Sequence, residues 1–331
     1  MVNLRQKATI VPLSGNRRNA EGGTTMLKRM LSLIMMILLV IPAAYATGAA
    51  ANGEDLLSAL DAANSTEQLF ERHASQYRHE CIYSRGELLV EIDRYYDAEH
   101  VYYIYGKDYS CYITPTGFIQ YWANNGALEM LMMPPEEYPE KLESCQSYFY
   151  FDETEALDSV QEQDGELLVT TEKEDADDIR AYLEVMKVAY GDEFETEYGE
   201  GAKLISVYHV DAESLEIKEC TETMRLADGS EVPLTKITVS FDVEIPDPAA
   251  PDNSLAPAFD EAAERRTITV VFASGTPEEQ TCVFTLPEGI DGYVQYHGEY
   301  MDLYEDPECT QPFTGRNGRM EFTVYTKGSG R

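Results

Sequence analysis

Between Ile237 and Ile245 apolar and polar residues alternate without a slip: Ile237, Val239, Phe241, Val243 and Ile245 fall on one side, Thr238, Ser240, Asp242 and Glu244 on the other. A period of two marks a strand with one dry face and one wet face. Pro246 and Pro248 then stop it, because proline lacks the N–H that a ladder needs. The same period runs from Cys81 to Met133, where Leu88, Val90 and Ile92 alternate with Glu87, Glu91 and Asp93. Further strands are predicted at 101–105, 109–113, 118–122 and 128–132. Gly106-Lys107, Pro115-Thr116-Gly117 and Asn124-Asn125-Gly126 part them, and turns of that chemistry make consecutive hairpins. A last meander covers 204–210, 215–224 and 232–245, turning at 211–214 and at Ala227-Asp228-Gly229-Ser230.

Elsewhere the period is three to four. A short helix is predicted over 54–63 with Leu56, Leu57 and Leu60 inward. A second starts at Ser65, whose relation to Gln68 is that of a capping box, and it places Leu69, Phe70, His73 and Tyr77 on one side. On that pattern His73 is a packing residue. Pro134-Pro135 leads into loop or a brief helix as far as Leu142, residues 148–151 form an aromatic strand, and 160–163 with 167–171 form a hairpin about Asp164-Gly165. The helix over 174–190 has Asp175, Asp177 and Asp178 at the positive end of its dipole and Gly191 to end it. Its stripe of Ile179, Tyr182, Leu183 and Met186 has to be covered. The chain is therefore mainly β with α, an α+β protein whose long helix lies across a large antiparallel sheet.

Charge narrows the partners. The 331 residues hold 60 acidic and 25 basic side chains, a net charge of −35. Residues 1–46 contain Arg5, Lys7, Arg17, Arg18, Lys28 and Arg29 against Glu21 alone, leaving the rest still more acidic. Such a surface repels phosphate backbones and anionic head groups, so nucleic acid is not an expected partner. Lys28 and Arg29 precede an apolar run to Ile41, then Pro42 and the small-x-small Ala44-Tyr45-Ala46. That is the pattern of a secretory signal peptide at 26–46, too short in its apolar part to be a membrane span. Residues 1–25 fit no part of a signal peptide. Glu21-Gly22-Gly23 back-translates to a purine-rich run like a ribosome-binding sequence, so Met26 is the expected start of translation. The expected address is extracellular or on the bacterial cell surface, with no transmembrane segment after cleavage and no cysteine near the cut to carry a lipid.

The order of these elements resembles the LolA-like lipoprotein-carrier superfamily: helices after a signal peptide, a tyrosine-rich meander, a strand-and-helix insertion, and a closing strand ending Val243-Glu244-Ile245-Pro246. The resemblance covers about 54–246 and implies an incomplete antiparallel β-barrel that wraps an apolar ligand, with helices as a lid. Residues 267–272, 282–286 and 320–325, with Pro287-Glu288-Gly289 and the run 303–313, resemble an internalin-type B-repeat, which implies a small β-grasp-like domain. The expected layout is a half-barrel domain at 47–246, a Pro-rich linker at 247–265 and the small domain at 266–331.

No chemistry is named by motif. The chain lacks GxSxG, GxGxxG, the P-loop pattern and HExxH. His73, His79, Glu80 and Cys81 form the nearest metal-like cluster, but with irregular spacing across a predicted helix end, and no metal, cofactor or catalytic residue is expected. Phe118, Trp122, Leu128, Met130 and Met132 share strand parity, and Leu183 with Met186 can face them from the helix, a set suited to a lipid or another apolar small molecule. The competing reading has the helix pack on the sheet and leave no cavity, in which case the protein is a structural or interaction module that contacts another envelope protein. Six cysteines show no CxxC spacing. In an exported protein some can pair, Cys282 with Cys309 first, since both fall in the small domain; sequence alone leaves the connectivity open.

Overall fold

The computed structural model describes residues 53–146, 149, 151, 155–315 and 319–328. The segments expected to be a leader and a signal peptide, and most of the strand expected at 148–151, lie outside the described residues. In chain order the elements are α1 (Gly53–Ala63), α2 (Thr66–Arg72), β1 (Gln76–Ser84), β2 (Glu87–Tyr96), β3 (Val101–Tyr105), β4 (Tyr109–Thr114), β5 (Gly117–Trp122), β6 (Ala127–Met132) and α3 (Glu137–Cys145). There follow β7 (Ala156–Gln163), β8 (Glu166–Lys173), α4 (Ala176–Tyr190), β9 (Lys203–Asp211), β10 (Ile217–Arg225) and β11 (Glu231–Phe241). The last are α5 (Ala256–Phe259), β12 (Arg265–Phe272), β13 (Gln280–Pro287), β14 (Asp291–Tyr296), β15 (Glu299–Tyr300) and β16 (Glu321–Tyr325). The chain is mainly β with few helices, as the alternation predicts. The large sheet is ordered β15-β14-β6-β5-β4-β3-β2-β1-β11-β10-β9-β8-β7, and β13-β12-β16 make a second one. The large sheet is mixed and is not closed into a barrel.

By contacts the chain forms two compact units: the described residues of Met1–Arg72, Arg78–Glu91 and Tyr148–Ser240, and those of His73–Tyr77, Ile92–Ser147 and Phe241–Arg331. In the first unit β7 to β11 form an antiparallel ladder. Asp175 caps α4 by accepting from the N–H groups of Asp177 and Asp178, and Ile179, Leu183 and Met186 are buried along its stripe. Gly191 ends the helix at φ 96°, in the left-handed region open to glycine. Asn64, 1% exposed, ties the end of α1 to the β9–β10 turn. Its amide donates to the carbonyls of Leu60 and Leu215 at 2.8 Å, and its oxygen accepts from Ile217 N–H at 2.9 Å.

The second unit contains the meander from Ile92 in β2 to β6, antiparallel throughout. β14 joins β6 in parallel, Asp291 opposite Glu129 and Val294 opposite Met132. In the second sheet β12 pairs antiparallel with β13 and parallel with β16. Met132, Ile268, Val270, Phe272, Phe284, Leu286, Val294, Tyr296 and Val324 form one buried cluster. Residues 247–265 carry α5, bury Leu255 and Ala258, and send the Asn253 amide to the Tyr102 hydroxyl at 2.9 Å.

Two local expectations fail for one reason. α2 stops at Arg72, so His73 and Tyr77 are not on it, and β11 stops at Phe241, short of Val243 and Ile245. His73 instead stacks on Phe241 at 4.2 Å, and Asp242, at φ 55°, takes His73 Nδ1 at 3.0 Å and the Ala74 N–H at 2.8 Å. An aspartate that accepts two such donors holds the backbone out of the extended region. Among the described residues no helix is long and apolar enough to cross a membrane.

Candidate functional site

The residues expected to line an apolar site are divided by hairpin register. In β5–β6, Phe118 opposes Leu131 and Trp122 opposes Ala127, whereas Ile119 opposes Met130 and Tyr121 opposes Leu128. Directly opposed residues share a face. Phe118 and Trp122 therefore point one way and Leu128, Met130 and Met132 the other, because this turn pairs even positions of one strand with odd positions of the next. Met132, 1% exposed, sits in the cluster with β12, β13 and β14, and Met130 packs against it. The greasy face of β6 is thus covered by strands from the end of the chain. Phe118 is buried, with Lys141 Nζ 5.5 Å from its ring centre. Leu183 and Met186 belong to the other compact unit, buried along α4. All six cysteines are free thiols; Cys282 and Cys309 are not joined, and the Cys309 thiol is directed at the Pro307 carbonyl, 3.8 Å away.

The Trp122 side of the hairpin carries a polar network. Tyr109 Oη donates to Gln120 Oε1 at 3.1 Å, while Gln120 Nε2 and Trp122 Nε1 both donate to Glu129 Oε2, at 2.7 and 3.2 Å. The Tyr109 and Trp122 rings lie 4.5 Å apart. Burial holds the Tyr109 hydroxyl well above its ordinary pKa, with Cys111 adding to the effect. Tyr300, from β15, lies beside this network; burial raises its pKa, and the neighbouring Gln120 opposes the rise.

Beside β14 and β15 an open groove of about 620 Å³ is walled by Tyr293, Tyr300, Met301, Leu303, Tyr304 and Phe313, with Asp291 and Asp302 among its lining. Tyr293 and Tyr300 are 41% and 60% exposed and meet edge to face at 6.3 Å. Backbone bonds shape the wall: Met301 N–H donates to Val294 at 3.0 Å, Phe313 N–H to Leu303 at 2.8 Å, and Tyr304 exchanges two bonds with Tyr325. A smaller depression of about 370 Å³ includes Ser274, Glu279, Glu308 and Lys327. Lys327 Nζ lies 4.8 Å over the Tyr304 ring, and its hydrogen bond with that hydroxyl raises its pKa. Aromatic walls with a few acids suit an amphipathic ligand. Sequence reading passed over this groove; the signal available was the recurrence of Tyr293, Tyr300 and Tyr304 beside Met301 and Leu303.

No family model matches this chain. No curated protein matches it either. Among solved structures, an N-terminal dehydratase from the difficidin assembly line is similar over 64% of this chain and 84% of its own length, at 11% identity and a TM-score of 0.15. A likeness that shallow carries no argument about fold or activity.

Proposed function

We propose that this chain is an exported, non-catalytic binding protein of the bacterial cell surface that takes a lipid or another amphipathic ligand in the groove beside β14 and β15. The groove carries this reading: its volume of about 620 Å³ falls within the roughly 300–1,000 Å³ of small-molecule sites. Exposed tyrosines offer large apolar faces with a polar tip. Asp291 and Asp302, on a chain of net charge −35, favour a ligand whose head group is neutral or cationic. The LolA-like half-barrel and the β-grasp-like module remain part of the proposal; the parallel pairing of β12 with β16 supports the latter.

A second reading, a structural or interaction module of the envelope, is favoured by the packing of Met132, Leu183 and Met186 into protein. Two measurements separate them. Lipid extraction and mass spectrometry of the purified chain is expected to recover a bound amphiphile. A titration with a neutral long-chain lipid is expected to shift the fluorescence of the lone tryptophan, Trp122, beside whose network Tyr300 lies. Met301→Asp should weaken that binding by more than about tenfold by placing a charge against the ligand. Recovery of no lipid together with no saturable shift removes the ligand reading and leaves the interaction module.

A further inference from the structure

β1 is buried at every second residue, with Arg78, Glu80 and Ile82 inward and His79, Cys81 and Tyr83 on the half-exposed face. A tight turn with Arg85 and Gly86 at φ 54° and 79° returns the chain as β2, from which Glu91 reaches back. His79 Nε2 lies 3.3 Å from Cys81 Sγ and 3.9 Å from Glu91 Oε1. One donor atom from each residue lies within 4.8 Å of the other two. Tetrahedral zinc, with Zn–S of about 2.3 Å and Zn–N or Zn–O of about 2.1 Å, separates neighbouring S and N donors by roughly 3.6 Å and N and O donors by roughly 3.4 Å. The S–N spacing lies within about 0.3 Å of that value and the N–O spacing about 0.5 Å beyond its own, so a small side-chain adjustment brings the donors onto one ion.

A cysteine–histidine–glutamate relay would use opposite ring nitrogens, one toward the nucleophile and the other toward the carboxylate. Here Nε2 faces both, an arrangement that fits three donors sharing one cation. The donor set is one thiol, one imidazole and one carboxylate, which suits zinc; calcium and magnesium take oxygen.

We propose that His79 Nε2, Cys81 Sγ and a Glu91 carboxylate oxygen bind one zinc ion across the β1–β2 hairpin, with water in the fourth position. Binding exchanges the Cys81 thiol proton for the metal, so one proton is released and no redox change occurs. Because carboxylates elsewhere on so acidic a chain hold divalent ions loosely, the test must read the sulfur. The full chain, stripped with a chelator and kept under a phosphine reductant, is titrated with zinc against a chromophoric chelator, and separately loaded with cobalt(II). The expected result is one tight equivalent and a thiolate-to-cobalt charge-transfer band. Cys81→Ser and His79→Ala should each weaken zinc by more than about tenfold and Cys81→Ser should abolish the band, while circular dichroism is unchanged and Glu87→Gln, elsewhere on β2, binds as wild type does. Zinc held equally well by wild type and Cys81→Ser, or a cobalt complex without the thiolate band, overturns the proposal.

Discussion

The two compact units bury different things. The first encloses charge: Arg78 and Glu80, with side chains 7% and 5% exposed, pair at 2.8 Å, and the guanidinium lies 4.6 Å over the Phe149 ring. Nearby polar atoms are also paired, for the Tyr182 hydroxyl donates to Glu222 at 2.7 Å and Thr235 donates to the same carboxylate oxygen. The second unit buries neutral groups, from Met132, Phe272, Val294 and Val324 to the amides of Gln76, Gln120 and Gln295, and its buried charge among the described residues is Arg266, the guanidinium turned to the Pro287 and Ile290 carbonyls. Buried charge is tolerated only while every partner is present, whereas an apolar core fails by degrees as atoms are removed. The first unit is thus expected to break on the loss of single polar partners, and the second to weaken in proportion to the cavity made.

The sharpest test removes one buried ion. Glu80→Ala is expected to cost about 3–5 kcal/mol, because Arg78 is left buried with its carboxylate gone. The double replacement Arg78→Met, Glu80→Leu should recover most of that loss in urea unfolding. A single variant within about 1 kcal/mol of wild type would remove the contrast between the units. In the second unit Met132→Ala should cost about 2–5 kcal/mol through the cavity it leaves. Gly292→Ala should cost about 1–3 kcal/mol by overpacking, since a Cβ there would lie 2.8 Å from both Leu286 Cδ2 and Met132 Cε.

The pH response follows Asp211, in the first unit. Its partial burial pushes the carboxyl up, but the Ser214 N–H, the Lys218 ammonium and the Glu213 N–H together bring it down to about 2, from 3.8. A carboxyl with a folded pKa below its unfolded one adds stability above about pH 4 and loses it as pH falls toward 2. Asp211→Asn should therefore lie about 1–2 kcal/mol below wild type at pH 6 and converge on it near pH 2, as read by unfolding at the two pH values. The smallest effect is on reactivity. Burial first, then the neighbouring Cys145, push the Cys111 thiol up to about 12. Iodoacetamide at pH 8 is expected to leave Cys111 unlabelled until the protein unfolds, while half-exposed Cys145 reacts in the native state. Rapid native labelling of Cys111 would show that its shell opens.

Much of the ladder was legible. The strands expected at 101–105, 109–113, 118–122 and 128–132 and the Gly191 stop lie within a residue of where period and turn chemistry put them, while Asp175, expected inside the helix, is its cap. β1 was read short because its inward positions include Arg78 and Glu80, which spoil a hydrophobic count although they are as buried as Ile82. β14 was missed because a run as brief as 291–296 shows its strand character only once β6 lies beside it. The metal-like cluster was half visible: His79 and Cys81 stand two apart, but Glu91 joins them only through the hairpin. The groove residues could be named as tyrosines and not as a groove, since 293, 300 and 313 meet only after β14 and β15 are laid down.

By itself the amino-acid order determined the mainly β class, the strand periods, the turns and the acidic balance, because each depends on neighbours a few residues apart or on composition alone. Tertiary structure decided which face each strand shows to which partner. Met132 finds Val294 and Leu286, Glu91 finds His79, and Asp242 turns β11 aside through His73. Those contacts close long loops, and their register depends on which turn wins. A shift of one residue would send every side chain of a strand to the other face.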